Sequence, residues 1–288
     1  MSTEKNTNEI VHELEDGKLS DPLINPQSPN HIFCYTGTGN SFAAAKQFSS
    51  FFGDIPITFI TQELVENPQP IVCEFAVIFA PSYGYGLPKL VRRWLKSTSF
   101  KIGYLAVCIL QGSSMRGTAA EAIRILKRKK QAVHFVSGVD SVENYVHLFG
   151  HPSDEFQEER FQAQILAVQA ICEKLQNRER VKVRTFSPLS KFVSVMFRGA
   201  VPMFVTRYRA TEHCNACEIC RKICPPKAIT MKQKKERTLP HFKARMCDHC
   251  QACMQLCPKQ AIRYFKVKPN SPRYKHKDVI LKELIKRD

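Results

Sequence analysis

Two cysteine-rich segments constrain this chain more than any other feature. Residues 214–225 read CNACEICRKICP and residues 247–258 read CDHCQACMQLCP, so the spacing C-x2-C-x2-C-x3-C-P occurs twice, 33 residues apart. Three closely spaced cysteines can present three thiolates to one face of an iron–sulfur cube, while the fourth points away from it. The repeat therefore predicts two [4Fe-4S] clusters, each completed by the last cysteine of the other segment.

Both segments resemble the bacterial two-cluster ferredoxins over residues 211–266. The resemblance implies two ligand sets, Cys214, Cys217, Cys220 and Cys257 for one cluster and Cys247, Cys250, Cys253 and Cys224 for the other. It also implies that Pro225 and Pro258 redirect the chain after each fourth ligand. The basic insert KQKKERTLPHFKAR is longer than in compact ferredoxins. It argues against the acidic partner-docking face of those proteins, but not against the ligation of the clusters. Structural zinc is the alternative, because eight thiolates can form two four-cysteine sites.

The length and charge of the chain indicate where the protein functions and what it binds. The chain has 288 residues, 12 cysteines and a net charge of +17. It shows neither a secretory signal nor an apolar run long enough to span a membrane, so we expect a cytoplasmic protein with reduced thiols. Residues 178–288 hold 27 Lys and Arg against 8 Asp and Glu. This basic half predicts either a docking surface for an acidic redox partner or a surface whose lysines only balance cluster charge.

From residue 31 onward, short apolar runs alternate with helical patterns, which is typical of a parallel sheet wrapped by helices. Strands are predicted at 32–35, 57–60, 75–80, 103–110 and 133–138, and helices at 41–52, 87–97, 118–130 and 154–177. The predicted fold class is α/β, with a doubly wound five-stranded sheet followed by a small α+β ferredoxin domain.

A loop of small residues, TGTGNSF, follows the first predicted strand and precedes a helix. Backbone N–H groups at a helix N-terminus suit a phosphate. The loop nearly matches the dinucleotide fingerprint, for which Glu63 would contact the ribose, but Phe42 stands where that fingerprint needs Gly or Ala. We favour the other interpretation, a resemblance to the FMN phosphate loop of flavodoxins, which assigns Thr36, Gly37, Thr38, Gly39, Asn40 and Ser41 to the cofactor.

Two further loops support the resemblance to flavodoxins. PSYGYGLP follows the third strand, where flavodoxins place an aromatic loop against the flavin, and it contributes Ser82, Tyr83, Gly84 and Tyr85. QGSSMRG follows the fourth strand and contributes Gly112 and Gly117. In a sheet ordered 2-1-3-4-5 the first and third strands flank the switch point, so the loops 36–41 and 82–87 would face each other. A flavodoxin-like fold without bound flavin remains the alternative.

These patterns divide the chain into five parts. We predict a polar, disordered tail at 1–29, a flavodoxin-like domain at 30–177, a basic linker at 178–210, the ferredoxin domain at 211–268 and a basic tail or helix at 269–288. Within the linker, residues 189–205 are apolar with scattered basic residues. This stretch is either packing between the two domains, the favoured interpretation, or a membrane-surface helix that Pro202 would interrupt.

The whole chain resembles the flavodoxin–ferredoxin fusion proteins of bacteria and archaea. The resemblance implies an electron carrier that couples FMN to two clusters and exchanges electrons with a redox partner protein. The alternative is a flavin-dependent reductase of a small molecule, for which His134, His147 and His151 would supply protons. Nucleic-acid binding through the basic half is disfavoured, because no recognition helix or aromatic-studded surface accompanies the charge.

Overall fold

The structure is a computed structural model that describes residues 12–14, 30–112, 114–183, 188–264, 267 and 271–285. The predicted tail at 1–29 lies outside the described residues except for 12–14, which form a strand. No helix within the described ranges is long and apolar enough to cross a membrane.

The strands are β1 (His12–Leu14), β2 (His31–Cys34), β3 (Ile57–Phe59), β4 (Ile71–Pro81), β5 (Phe100–Gln111), β6 (Phe135–Asp140), β7 (Val181–Val183), β8 (Tyr208–Ala210), β9 (Ile229–Lys234), β10 (Arg237–Phe242) and β11 (Ile262–Tyr264). The helices are α1 (Asn40–Phe51), α2 (Gln62–Glu66), α3 (Lys89–Ser97), α4 (Arg116–Arg128), α5 (Val146–Phe149), α6 (Asp154–Gln176), α7 (Pro188–Val205), α8 (Ile219–Lys222), α9 (Ala252–Gln255) and α10 (Leu281–Ile285).

A five-stranded parallel sheet with the order β3-β2-β4-β5-β6 organises the N-terminal half. Numbered along the sheet, this order is 2-1-3-4-5, so the predicted flavodoxin-like topology is confirmed. Strands β4 and β5 begin earlier than predicted, because Ile71 pairs with Phe100 and Cys73 with Ile102. Gly103 lies within β5, where a Cβ atom would come within 2.9 Å of the carbonyl oxygen of Glu74. The glycine therefore marks a close approach of two strand backbones and not a strand start.

Helices cover both faces of the sheet, as the buried apolar strands require. Helices α1 and α6 pack together on one face, where Phe48, Phe52 and Phe75 form a buried aromatic stack. Helices α3 and α4 pack on the other face, where Trp94 contacts Phe33. The carboxyl ends of the strands remain uncovered by these helices, which places the loops that follow β2, β4, β5 and β6 at one edge.

The cysteine-rich half is a duplicated unit. Strand β8 pairs with β11, β9 pairs with β10, and the short helices α8 and α9 occupy equivalent places in the two repeats. Three pairs of residues 33 positions apart share left-handed backbone conformations of nearly equal φ, namely Ala216 with His249, Glu218 with Gln251 and Lys227 with Gln260. Such conformations are uncommon for residues other than glycine. Their recurrence shows that both cysteine loops curl in the same way.

The predicted linker is largely ordered. Strand β7 pairs with β1, and β8 joins the sheet of the cysteine-rich half. Helix α7 continues through Pro202, so the expectation that this proline interrupts the helix is wrong. Proline removes the hydrogen bond to the carbonyl four residues before it, and here that loss falls in the last turn of the helix, so the turns before it keep their own hydrogen bonds.

The two halves share one hydrophobic core. Ile223, Ala252 and Leu256 of the cysteine-rich half belong to the same buried cluster as α1 and α6 of the flavodoxin-like half. Val279 and Leu284 of the C-terminal segment belong to it as well. Residues 271–285 therefore fold back onto the N-terminal half, which positions them above the loop that follows β2.

Candidate functional site

A cavity of about 250 Å³ opens at the carboxyl ends of the parallel strands. Ligands of doubly wound sheets bind at this edge, next to the point where the strand order reverses. Ten of the predicted cofactor residues line the cavity, and these are Thr36, Gly37, Thr38, Asn40, Ser41, Ser82, Tyr83, Gly84, Tyr85 and Gly112. The loops after β2, β4 and β5 thus meet as the sequence predicted.

Two of the predicted residues do not line the cavity. Gly39 has a φ of 115°, which glycine adopts readily, and it lies beneath the C-terminal segment, where a Cβ atom would be 3.1 Å from His276 Cβ. Gly117 lies in the first turn of α4 and lines a separate groove between α4 and α7.

The loop that follows β2 is held by hydrogen bonds. The N–H of Gly39 donates to Thr36 Oγ1 at 3.1 Å, and the Asn144 amide donates to Thr38 Oγ1. The Asn40 side chain donates to the carbonyl of Val142 at 2.9 Å and accepts from Tyr274 Oη at 2.6 Å. Asn40 therefore connects three segments of the chain, a role that its motif did not indicate.

The same loop meets the requirements of a phosphate group. Thr36, Thr38 and Ser41 are buried at the cavity, and no side-chain hydrogen bond caps α1 among the described residues. The first turn of α1 contains no acidic residue. An uncapped helix N-terminus with neighbouring hydroxyl groups favours a dianion. The residues present therefore fit an FMN phosphate.

Aromatic residues define the remainder of the cavity. Tyr83 contacts Tyr35 edge to face, with ring centroids 6.4 Å apart. Tyr85, at a φ of 60°, is partly exposed at the mouth. Phe197 of α7 packs so closely on Gly84 that a Cβ atom there would lie 2.4 Å from its ring. The flat, aromatic lining fits the isoalloxazine ring of a flavin.

Sequence reasoning missed the loop after β6. Residues 141–145 line the cavity together with Leu148, Phe149 and Phe197. The Ser141 hydroxyl is buried there without a hydrogen-bond partner among the described residues, so it is available to a ligand. Burial raises the pKa of Glu143. The polar run SVENY after the last strand was the available signal, since every parallel strand ends at this edge of the sheet.

The eight repeat cysteines surround two separate spaces. We call the first the outer cage, which is lined by Cys214, Cys217, Cys220 and Cys257. We call the second the inner cage, which is lined by Cys224, Cys247, Cys250 and Cys253. Each space thus receives three cysteines of one repeat and the last cysteine of the other, the same grouping that the ferredoxin resemblance implied. Cys217 of the outer cage is exposed.

Backbone N–H groups point at the cage sulfurs in equivalent places. Ala228 N–H donates to Cys224 Sγ and Ala261 N–H to Cys257 Sγ, both at 3.3 Å. Burial raises the pKa of Cys220 and of Cys247 to about 12. A metal ion deprotonates a thiol that coordinates it, whatever the pKa of the free thiol. These features fit iron–sulfur clusters. Within the described ranges, no three His, Cys, Asp or Glu residues converge on a site for a single metal ion.

The inner cage packs directly on the cavity loops. A Cβ atom on residue 37 would lie 2.9 Å from both the Cβ atom and the carbonyl oxygen of Cys250. Only glycine allows this approach without displacement of one of the two loops. His249 Nδ1 and Tyr145 Oη lie 2.6 Å apart and share a hydrogen bond. The loop that carries the inner-cage cysteines therefore contacts two of the segments that line the cavity.

Asp248 fixes this arrangement. Its buried carboxylate accepts from Tyr35 Oη at 2.9 Å, from the N–H of Lys89 at 2.8 Å and from the N–H of Leu90 at 3.3 Å. It thereby caps α3 of the opposite half of the chain. Burial raises the pKa of Asp248 to about 6 and also raises that of Tyr35. Lys89 Nζ adds a bond to the carbonyl of Cys247 at 3.2 Å.

The C-terminal segment covers the loop after β2. In addition to the bond from Tyr274, the N–H of His276 donates to the carbonyl of Thr38 at 3.4 Å. An ion pair of 2.9 Å joins Lys46 of α1 to Glu283 of α10. Burial lowers the pKa of His276 to about 4. Neutral His276 is thus part of the packing above Gly39.

The histidines of the reductase alternative do not converge on the cavity. His134 precedes β6 at the opposite end of the sheet, where its Nδ1 accepts from the N–H of Leu105 and its ring stacks on Tyr104. His151 does not line the cavity. The side chain of His147 lies outside the described residues. Cys34, Cys73, Cys108 and Cys172 are buried in the core, as expected of apolar residues.

The cysteine-rich half matches a known family. The family model of the 4Fe-4S dicluster domain matches residues 213–261. The chain therefore contains a ferredoxin-type iron–sulfur domain behind a flavodoxin-like α/β sheet. No curated protein matches the chain.

Several solved structures are similar to the N-terminal half. A flavodoxin from the domain Archaea shares 9% identity over 50% of this chain and 98% of its own, with a TM-score of 0.28. General stress protein 14 from Treponema denticola, solved in complex with FMN, shares 13% identity over 51% and 98%, with a TM-score of 0.33. NAD(P)H:quinone oxidoreductase from Methanothermobacter marburgensis shares 12% identity over 51% and 94%, with a TM-score of 0.34.

Proposed function

We propose that the chain is an electron-transfer iron–sulfur flavoprotein that binds FMN in the cavity and one [4Fe-4S] cluster in each cysteine cage. FMN exchanges one or two electrons and each cluster exchanges one, so the three groups together connect two-electron to one-electron chemistry. Thr36, Thr38, Ser41 and the first turn of α1 would hold the phosphate, and Tyr83 and Tyr85 would contact the ring.

The contact between Gly37 and Cys250 carries the proposal. It brings the backbone of an inner-cage ligand against the loop that would hold the flavin phosphate. The hydrogen bond between Tyr145 and His249 adds a second contact between cavity and cage. Two redox sites on independent domains would not require such packing.

The positions of the cages suggest the order in which electrons pass between the proposed redox sites. The inner cage contacts the cavity loops, whereas the outer cage includes the exposed Cys217. We therefore assign the inner cage to exchange with the flavin site and the outer cage to exchange with a partner protein. The basic residues around the outer cage, among them Arg221, Lys222 and Lys259, favour an acidic partner.

Anaerobic purification with quantified iron, sulfide and flavin tests the proposal. We expect about eight iron, eight sulfide and one FMN per chain. Cys217→Ser and Cys253→Ser should each remove about half of the iron, from the outer and the inner cage respectively. Cys172→Ala is the matched control, because this cysteine is buried in the core, and it should retain all of the iron.

Two outcomes would count against the proposal. A colourless protein that contains zinc would show that both cages hold structural zinc and not iron–sulfur clusters. Steady turnover of a small molecule by the purified chain alone would instead favour the flavin-dependent reductase.

A further inference from the structure

Helix α7 presents a row of large apolar side chains to solvent. Leu189, Phe192, Val195, Met196 and Met203 are between 53% and 71% exposed. Their spacing puts them along one side of the helix, about 20 Å from end to end. The opposite side is anchored, because Ser194, Val201 and Val205 are buried. The helix therefore lies on the surface in a fixed orientation, with its apolar row outward.

Two further exposed apolar residues lie at the mouth of the cavity. Leu148 and Phe149 of α5 are 62% and 66% exposed, and they line the cavity together with Phe197 of α7. We call the seven exposed residues the α7 patch, namely Leu148, Phe149, Leu189, Phe192, Val195, Met196 and Met203. A row of exposed apolar side chains such as that of α7 marks an interaction site, whereas single exposed residues do not.

Positive charge lies beside the apolar row of α7. The sequence from 180 to 211 contains seven Lys and Arg and no Asp or Glu. Along one side of α7, Arg124, Lys127 and Arg128 of α4 line a groove with Lys191. The acidic residue of this groove, Glu121, is buried and paired with Arg92 at 2.7 Å and Arg198 at 3.0 Å. The exposed charge beside the apolar row is therefore positive.

We propose that the α7 patch docks the chain on the surface of an anionic lipid bilayer, with α7 lying in the plane of the headgroups. Helices with an apolar row and flanking Lys and Arg bind membranes in this way, through buried apolar area and attraction to anionic lipid. The inference does not depend on the proposed cofactors.

Charge and shape decide between the possible occupants. A second copy of the chain packed on the same row would bring a second set of Lys127 and Lys191 to one interface, and like charges at an interface are unfavourable. Protein partners usually seat their main anchors in pockets. The apolar row of α7 instead stands on a convex helix, over half exposed at each position, which suits a deformable lipid surface.

Co-sedimentation of the full chain with vesicles tests this proposal. We expect binding to phosphatidylcholine vesicles that contain about one-third phosphatidylglycerol, and at least tenfold weaker binding to phosphatidylcholine alone. The variant Phe192→Ser with Met196→Ser should bind at least tenfold more weakly. Its matched control is Val72→Ser with Leu166→Ser, which changes two equally exposed residues elsewhere, and this control should bind as the unchanged chain does.

The charge component has its own pair of variants. Lys127→Gln with Lys191→Gln should weaken vesicle binding at least fivefold, whereas Lys96→Gln with Lys174→Gln should not. Circular dichroism and iron content establish that each variant is folded. Equal binding by the patch variant and its control would overturn the proposal. The proposal would also be overturned if the chain did not bind vesicles but formed a dimer, and if the patch variant were a monomer. That result would assign the patch to a second copy.

Discussion

The hydrogen bond between Tyr35 and Asp248 joins the two halves of the chain, and its removal should weaken the protein measurably. Both groups are buried, and Asp248 also caps α3. At a pH well above 6 the carboxylate is ionised, since its pKa is about 6. A hydrogen bond to a charged group contributes about 1.5–3 kcal/mol. We therefore expect Tyr35→Phe to lower the free energy of unfolding by about 2 kcal/mol.

Asp248→Ala should cost more, because it leaves three donors without an acceptor. Each buried donor without an acceptor costs about 1–3 kcal/mol, and removal of the desolvated carboxylate offsets part of that sum. We therefore expect the free energy of unfolding to fall by about 3–5 kcal/mol. The double variant should lose about 2 kcal/mol less than the two single losses added together. That difference is the coupling energy between the two side chains.

The assay is anaerobic unfolding in urea followed by two signals. Trp94 is the single tryptophan and lies in α3, whereas visible absorbance reports the cages. Loss of the proposed clusters would make unfolding irreversible, so unfolding rates are compared, and 2 kcal/mol corresponds to as much as about 30-fold. Tyr85→Phe, which alters an exposed phenol, is the control and should change the rate little. A coupling below about 0.5 kcal/mol would refute the reasoning.

Three other changes test separate features. Gly37→Ala should destabilise the chain by about 1–3 kcal/mol and reduce bound FMN, because the new methyl group overlaps Cys250. The control Gly199→Ala should do neither, because the space around Gly199 is open. Ser141→Ala should leave the stability of the flavin-free protein unchanged within about 0.5 kcal/mol and weaken FMN binding in a fluorescence titration, since its hydroxyl has no partner in the described structure. The buried His276 has a pKa lowered to about 4, so its contribution to the free energy of unfolding is complete above about pH 6.5. The free energy of unfolding should fall by about 3 kcal/mol as the pH drops to 4, because the unfolded chain then binds this proton more readily than the folded chain does. Thermal unfolding of His276→Gln should lack this part of the pH dependence, and an unchanged profile would contradict the assignment.

Local patterns in the sequence predicted the sheet well. The five strands were located because strands buried on both faces are continuous apolar runs with turn residues between them, whereas their order came from the resemblance to flavodoxins. The starts of β4 and β5 were missed because Glu74 and Gly103 interrupt those runs. Only the paired register shows that the residues before them, such as Ile71 and Phe100, are already in the ladder.

Contacts between distant segments could not be predicted in the same way. The cysteine spacing defines each loop, but nothing in it indicates that Cys250 packs on Gly37 or that Asp248 caps α3. Asn40 was assigned to a phosphate from its motif, whereas its amide bonds Val142 and Tyr274. These contacts depend on how the two halves dock, and docking is decided by surface shape across the whole chain.

The cover that residues 271–285 form over Gly39 has a consequence for biosynthesis. The loop after β2 leaves the ribosome before the segment that closes over it, which lies more than 230 residues further along the chain. At about 5–20 residues per second, the interval between the two is on the order of 10–50 s. During that interval the nascent loop lacks the hydrogen bonds from Tyr274 to Asn40 and from His276 to Thr38, so it is held in place by fewer contacts than in the complete fold.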